Sequence, residues 1–170
     1  MVDIKLDPND VKKLKKIFGK DIDNKLKIVS NVFANNNKNR VRNNVVRLME
    51  KGISPVKGKE WDDYSDSYNT KIDRDPSLKA LGKKKKPVNL KVTGELHDSI
   101  DAENVKGKLV IETTDKLAII HDSEGAGKKK VIRRIVPRGN EQWHDSILRP
   151  LKKDLKTLVK KILTSLKTSD

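Results

Sequence analysis

Apolar residues at helical spacing dominate the first third of the chain. Asp7-Pro8 is typical of a helix start, because aspartate caps the free N–H groups and proline needs none of its own at the first position. The apolar positions that follow recur every three or four residues: Val11, Leu14, Ile17 and Phe18. A longer stripe predicts a second helix over residues 21–51, loosened where asparagines interrupt it, with Gly52 ending it. Residues 1–52 are therefore expected to be helical.

Regular periodicity disappears between residues 53 and 90, where prolines and glycines punctuate a polar sequence. This stretch is predicted to be an extended, irregular arm, since a structureless connection of this length is unusual inside a compact domain. Trp61, Tyr64 and Tyr68 stand out within it. They are either anchors that dock on another subunit or residues that pin the arm to its own domain.

Residues 91–136 show short apolar runs separated by turn residues, which predicts an antiparallel β-meander. The expected strands are 98–104, 108–113, 117–121 and 131–136, with a basic loop at 123–130. A last helix is predicted over residues 143–168, with leucines on one face, lysines on the other and Pro150 early in its course. The pattern indicates one α+β domain, with long N-terminal helices and a C-terminal helix packed on a small antiparallel sheet.

The composition adds a thin core and a strong positive charge to this picture. Hydrophobic residues make up 34% and charged residues 37%, so we expect partner subunits to supply part of the burial. The net charge of +15 lies at both ends of the chain, while the middle is neutral. Contact with DNA or an acidic partner is one interpretation, and plain solvated surface is the other. The candidate contacts are Lys128, Lys129, Lys130, Arg133 and Arg134.

The chain has no cysteine, which excludes disulfides and thiolate metal sites. It also has no apolar run of the roughly 20 residues that a membrane span needs. We therefore expect synthesis in the cytoplasm and no membrane partner.

Motifs for nucleotide-binding, zinc-protease and serine-hydrolase chemistry are missing, so no cofactor and no enzymatic activity is expected. The three histidines are each followed by Asp-Ser, at residues 97–99, 121–123 and 144–146. A metal-dependent hydrolase built on these repeats is one hypothesis. The favoured alternative is local turn and cap formation, since Asp and Ser side chains readily bond nearby backbone.

Four motifs in the middle and end of the chain resemble those of the phage virion morphogenesis family, which includes tail-completion proteins of contractile-tailed bacteriophages. Residues 52–61 match a Gly-x-x-Pro-x-Gly-x-x-Trp pattern, and residues 90–100 match apolar-x-apolar-Thr-Gly-x-Leu-x-x-Ser-Ile. An Ala-x-Ile-His segment ends at His121, and residues 135–138, which read Ile-Val-Pro-Arg, are similar to the family's Ile-Pro-x-Arg element. The motif residues of interest are Thr93, Gly94, Leu96, Ile100, His121, Pro137 and Arg138. The order of the motifs agrees with the family, but the glycine after the histidine is displaced and a basic insert precedes the last motif.

The resemblance implies a structural subunit at the neck of a tailed phage, where a ring joins the completed tail to the filled head. Expected partners are other copies of the chain in a hexamer-like ring, neighbouring neck and tail proteins, and genomic DNA in the channel. The expected location is the virion. A nonspecific nucleic-acid-binding protein that uses its basic ends is the alternative function.

Overall fold

The computed structural model describes residues 8–91, 94–127 and 129–167 and has an α+β fold, as predicted. The helices are α1 (Pro8–Phe18), α2 (Ile22–Glu50), α3 (Asp66–Arg74), α4 (Pro76–Ala80), α5 (Glu95–Asp98), α6 (Lys116–Ile119) and α7 (Asp145–Lys167). The strands are β1 (Ile100–Val105) and β2 (Lys108–Thr113). A 3₁₀ turn at Gly19–Asp21 joins α1 to α2, and a π-helical turn at Ile120–Glu124 follows α6.

Helix α2 runs without interruption through the asparagines that were expected to loosen it. Asn37 is buried and donates its side-chain amide to the carbonyl of Phe33 at 2.9 Å, while its own oxygen accepts from Arg40. Asn104, at the tip of the strand pair, donates to the side chains of Asn31 and Asn35 at 3.3 and 3.0 Å. The asparagines therefore bind the hairpin to the helix instead of breaking the helix.

The two strands form an antiparallel hairpin whose register runs from Ile100 opposite Thr113 to Val105 opposite Lys108. Burial alternates along both strands, as expected when one face packs on a core and the other faces water. The buried face lies against α2, and Arg42 of that helix donates to the carbonyl of Ile100 at 2.7 Å.

The main core lies between α2, the hairpin and the first turns of α7. Its buried residues include Val41, Val45, Leu48, Met49, Leu96, Ile100, Ala102, Leu109, Ile111, Ile135, Ile147 and Leu151. A second, smaller cluster is formed by Leu14, Ile22 and Val159. Because α7 contributes to both clusters, it runs back along α2 towards α1. None of the helices in the described part of the chain has the length and apolar content that a membrane crossing requires.

The predicted four-stranded meander is wrong, because the structure keeps only its first two strands. Residues 117–121 form α6 and the start of the π-helical turn, since the Asp115 carboxylate accepts the Leu117 N–H at 2.6 Å and caps a helix there. Within the described residues 131–136, strand pairing is limited to an isolated bridge between Val131 and Ala126. In the rest of that segment the Arg133 N–H donates to the His121 carbonyl at 2.7 Å, and the N–H groups of Ile135 and Val136 donate to a side chain, as described below.

The predicted extended arm at 53–90 is also wrong in part, because α3 and α4 lie within it. The Ser65 hydroxyl accepts the Tyr68 N–H at the start of α3. The Asp75 carboxylate accepts the Ser77 and Leu78 N–H groups at the start of α4, where Pro76 takes the first position. The two helices contact each other, and Ile72 of α3 and Leu78 of α4 are buried.

Gly52 ends α2, as predicted, and Pro150 lies early in α7, as predicted. Gly52 follows α2 with φ of 70°, and its N–H donates to Met49 while the next N–H donates to Leu48, which is the Schellman arrangement. Helix α7 begins at Asp145 and continues through Pro150.

Candidate functional site

The first family-like motif forms a strap, residues 52–64, that pairs with the segment leading into α7. The N–H of Lys57 donates to the Gln142 carbonyl at 2.8 Å, and the Pro55 carbonyl accepts the His144 N–H at 2.7 Å. Val56 and Trp143 form a β-bridge between these two bonds. The strap is thereby fixed to the body by backbone hydrogen bonds.

Two side chains of the strap converge on the carbonyl of Arg134. The Trp61 indole N–H donates to it at 3.1 Å, and the Ser54 hydroxyl donates to it at 2.8 Å. The Trp61 ring also packs against the main core. This arrangement joins the first motif to the segment of the last motif.

Tyr64 lies beside Tyr68 and between two cationic side chains. The two rings make an edge contact, with centroids 5.0 Å apart. The Lys83 ammonium donates to the Tyr64 hydroxyl at 2.5 Å. The Arg133 guanidinium lies 5.0 Å from the Tyr64 ring and donates to the carbonyls of Asp62 and Asp63. Of the two interpretations of the aromatic residues, this favours anchoring to their own domain.

The electrostatics of this cluster are unusual because, among the described residues, its buried cations form no direct ion pair. Burial lowers the pKa of Arg133, and the nearby carboxylates of Asp62 and Asp63 act against that shift. Lys83 is 7% exposed and Arg133 is 3% exposed, and neither forms an ion pair with a carboxylate among the described residues. Burial, with a contribution from Arg133, lowers the pKa of Lys83 to about 8. Burial likewise raises the pKa of Tyr64.

His121 belongs to the same electrostatic environment. Burial first, then the charges of Arg133 and Lys83, lower its pKa to about 4 against a small opposing effect of Asp115. Its Nδ1 atom is buried and has no hydrogen-bond partner among the described residues. Near neutral pH this histidine is therefore uncharged, which suits a packing role.

The carboxylate of Asp122 is the centre of a second polar network. One oxygen accepts the N–H groups of Ile135 and Val136 at 2.6 and 2.8 Å, and the other accepts from the Arg138 guanidinium at 2.7 Å. Arg134 donates to the Asp122 carbonyl at 2.6 Å. The Asp122 side chain thus accepts N–H groups that a neighbouring strand would accept in a sheet. This explains why residues 131–136 were wrongly predicted to be a strand.

Glu141 extends that network to the strap. Its carboxylate accepts the Arg138 N–H at 3.0 Å and lies 3.2 Å from the Lys59 ammonium and 3.4 Å from Arg134. The Arg138 hydrogen bond, followed by the bond to Lys59, lowers the pKa of Glu141. The last motif is thus bound to the first by side chains as well as backbone.

The residues proposed to contact DNA fall into two groups. Lys129 and Lys130 are exposed, and Lys128 lies outside the described residues. Arg133 is buried against Tyr64, and Arg134 is held by Asp122 and Glu141. The two arginines act inside the domain, which leaves the lysines as the accessible part of this predicted contact.

The three His-Asp-Ser repeats serve different local purposes. His144 accepts the Ser146 N–H at the start of α7, and His97 contacts the Asn89 carbonyl at 2.9 Å through Nε2. The middle repeat supplies Asp122. In the described part of the chain, no group of three or more acidic or histidine side chains is positioned to hold a metal ion.

The remaining motif residues lie where the chain changes direction. Gly94 has φ of 99° and precedes α5, so a short helix separates this turn from the strand that was expected to follow directly. Leu96 and Ile100 are buried in the main core. Pro137 is half-buried beside the exposed Arg138, and Thr93 lies outside the described residues.

Sequence reasoning missed Lys83 and Asp122 as organising residues. Lys83 begins a run of four lysines, and nothing in that run distinguishes the buried one from its exposed neighbours. Asp122 did carry a signal, because it directly follows the motif histidine, but its repeat was interpreted as a turn or cap former or as part of a metal site. The candidate site therefore consists of contacts between distant chain segments. Its buried amine, that of Lys83, is largely shielded from solvent.

No protein-family model matches the chain, no curated protein matches its sequence, and no solved structure matches its fold.

Proposed function

We propose that this chain is a structural subunit of a tailed bacteriophage, of the tail-completion or neck group, which assembles as a ring at the head–tail junction and catalyses no reaction. The observation that carries the proposal is the shared framework of the family-like motifs. Trp61 of the first motif donates to the carbonyl of Arg134, directly before the last motif, and the last motif donates to Asp122, directly after the histidine motif, while the remaining motif anchors the hairpin in the same core. This common framework is what supports the proposal.

The chemistry of the converging residues also supports a structural role. The Trp61 indole N–H donates to a backbone carbonyl of another segment, and one oxygen of the Asp122 carboxylate accepts two backbone N–H groups of another segment. Such contacts hold a domain in one shape. A subunit in a ring needs this, because it must offer its neighbours a constant surface.

In this proposal the partners are other copies of the chain, the adjoining neck and tail proteins, and the DNA that passes through the channel. Because the side chains of Trp61, Tyr64 and Tyr68 are engaged within the domain, they contribute to assembly chiefly by shaping the surface that other subunits contact.

The proposal is tested by deleting the coding sequence from the genome that carries it. The expected lysate contains DNA-filled heads and separate finished tails, and addition of the purified full-length chain restores infectious particles. A matched sample of Asp122→Ala protein, with the central network removed, should restore fewer. A deletion with an unchanged infectious titre, or one that yields only empty heads, would contradict the proposal.

A further inference from the structure

Two segments that are far apart in the sequence, residues 8–27 and 152–165, meet at one end of the molecule. Leu14 of α1, Ile22 of α2 and Val159 of α7 form one buried apolar cluster. Phe18, Leu26, Leu155, Ile162 and Leu163 pack around it. The cluster lies at the first turns of α2, whose opposite end is about 43 Å away at 1.5 Å per residue. We call these two segments together the basic helical end.

The basic helical end concentrates positive charge that the sequence divides between its two ends. It contains twelve lysines and four aspartates, an excess of eight positive charges within 34 residues. The intervening residues 28–151 carry an equal excess spread over a stretch more than three times as long. All twelve lysines are exposed. The fold therefore brings two basic segments together on one surface.

The few aspartates do little to neutralise this surface. Asp154 forms an ion pair with Arg40 at 2.7 Å, and Asp21 lies 3.7 Å from Lys25. Among the described residues the other lysines of the basic helical end form no ion pair with a carboxylate. Their charge is available to an external polyanion.

The composition of the surface indicates which polyanion. The segments contain lysine and no arginine. Lysine is depleted at protein–protein interfaces, where arginine and aromatic residues act as anchors, but it serves well as a point charge against phosphate. Two helices with lysines on their solvent faces can follow a phosphate backbone without contacting base edges.

We propose that the basic helical end binds the phosphate backbone of double-stranded DNA without reading its sequence. This inference deepens the proposed function by naming the surface that contacts DNA, and its test on the purified protein can fail or succeed separately from the test of the role in the virion. It also moves the DNA contact from the loop at residues 128–134 to the helices.

The test measures binding of the full-length protein to a fluorescein-labelled duplex of random sequence, by anisotropy at a series of salt concentrations. The variant replaces four lysines of the basic helical end by glutamine: Lys13, Lys16, Lys156 and Lys160. Each phosphate contact contributes about 0.9 to the slope of log K against log salt, so the slope should fall by about 3 to 4. The control replaces four exposed lysines elsewhere, Lys51, Lys71, Lys79 and Lys84, and should change the slope by less than about 1.

Circular dichroism and melting curves of both variants verify that they fold. A third variant, Lys129→Gln with Lys130→Gln, separates the loop from the helices. The proposal is overturned if the control or the loop variant lowers the slope as much as the helical variant. It is also overturned if the wild-type protein ignores DNA at low salt but binds polyglutamate, since the partner would then be an acidic protein.

Discussion

At the scale of single residues, the Asp122 carboxylate lies 2.6–2.8 Å from three donors on the segment that leads towards α7. Its residue is 6% exposed, and the bond from the Ile135 N–H is buried, so this donor has no access to bulk water if the carboxylate is removed, whereas the exposed Arg138 guanidinium can turn to solvent. A buried donor left without a partner costs about 1–3 kcal/mol. The stability of the domain should therefore depend strongly on this side chain.

Asp122→Ala is expected to lower the free energy of unfolding by about 3 kcal/mol, since the N–H groups of Ile135 and Val136 lose their acceptor. Asp122→Asn should cost less, because its oxygen can still accept. Urea denaturation measures both. The matched control is Asp73→Ala, whose exposed carboxylate bonds only to Lys85 among the described residues, and its midpoint should barely move. Equal losses for Asp122→Ala and Asp73→Ala would show that the network is unimportant.

His121 gives a prediction about pH. Its folded pKa of about 4 lies below the unfolded value, so the unfolded chain binds a proton more readily between these values. The stability that the uncharged His121 contributes is fully present above about pH 6.5 and is lost as the pH falls towards 4. After allowance for partial exposure we expect a loss of about 2 kcal/mol. Part of any acid loss also comes from His97, whose pKa burial lowers as well.

The measurement is the urea midpoint at several pH values for the wild-type protein and for His121→Phe. The variant cannot be protonated, so its curve should fall less steeply below pH 6.5 than the wild-type curve. Parallel curves for the two proteins would mean that His121 does not carry the effect.

At the scale of elements, the C-terminal end of α2 depends on Gly52. Its φ is 70°, and a Cβ atom there would lie 2.3 Å from Pro87 Cβ and 2.8 Å from the Val88 carbonyl oxygen. Gly58, in the same strap, has the same φ but nothing within 4 Å of the corresponding position. Alanine variants at Gly52 and Gly58 therefore distinguish the cost of backbone strain from the cost of a steric clash.

Gly58→Ala should cost about 1 kcal/mol, the strain of a left-handed conformation alone. Gly52→Ala should cost about 3 kcal/mol or more, because the strap and the Pro87 segment must also move apart. Thermal or urea unfolding of both variants checks the difference. Similar costs for the two would contradict the close packing at Gly52.

The elements also show how far the sequence could lead. Periodicity found α1, α2, α7 and the hairpin, because each buries a face of its own. It failed at residues 117–121 and 131–136, where the carboxylates of Asp115 and Asp122 determine the backbone conformation of short apolar runs. The two helices α3 and α4 could have been predicted, since Ser65 is a good cap residue for α3 and Asp75-Pro76 before α4 repeats the start signal at Asp7-Pro8.

The candidate site was harder to predict than the fold. The aromatic residues of the strap were recognised, but their contacts with Lys83 and Arg133 join segments that the sequence separates by up to 70 residues. Composition gives no sign of which lysine in a run is buried. Only the packed chain distinguishes Lys83, with its lowered pKa, from the exposed lysines beside it.

At the scale of the whole molecule, the structure has two parts: a middle part held together by internal hydrogen bonds, and a positively charged end. The strap, the Asp122 network and the hairpin form a fixed body around the main core. The basic helical end extends from it with lysines facing solvent. Such a division suits a subunit whose body packs in a ring and whose charged end meets a polyanion.

The most direct test of the proposed role is the position of the chain in purified phage particles. Electron microscopy of particles that carry a gold-labelled tag on this chain, followed by averaging of the neck region, determines that position. The account predicts label at the head–tail junction and density for a ring of copies there. Label on the capsid shell or the tail fibres, or particles that lack the chain altogether, would contradict it.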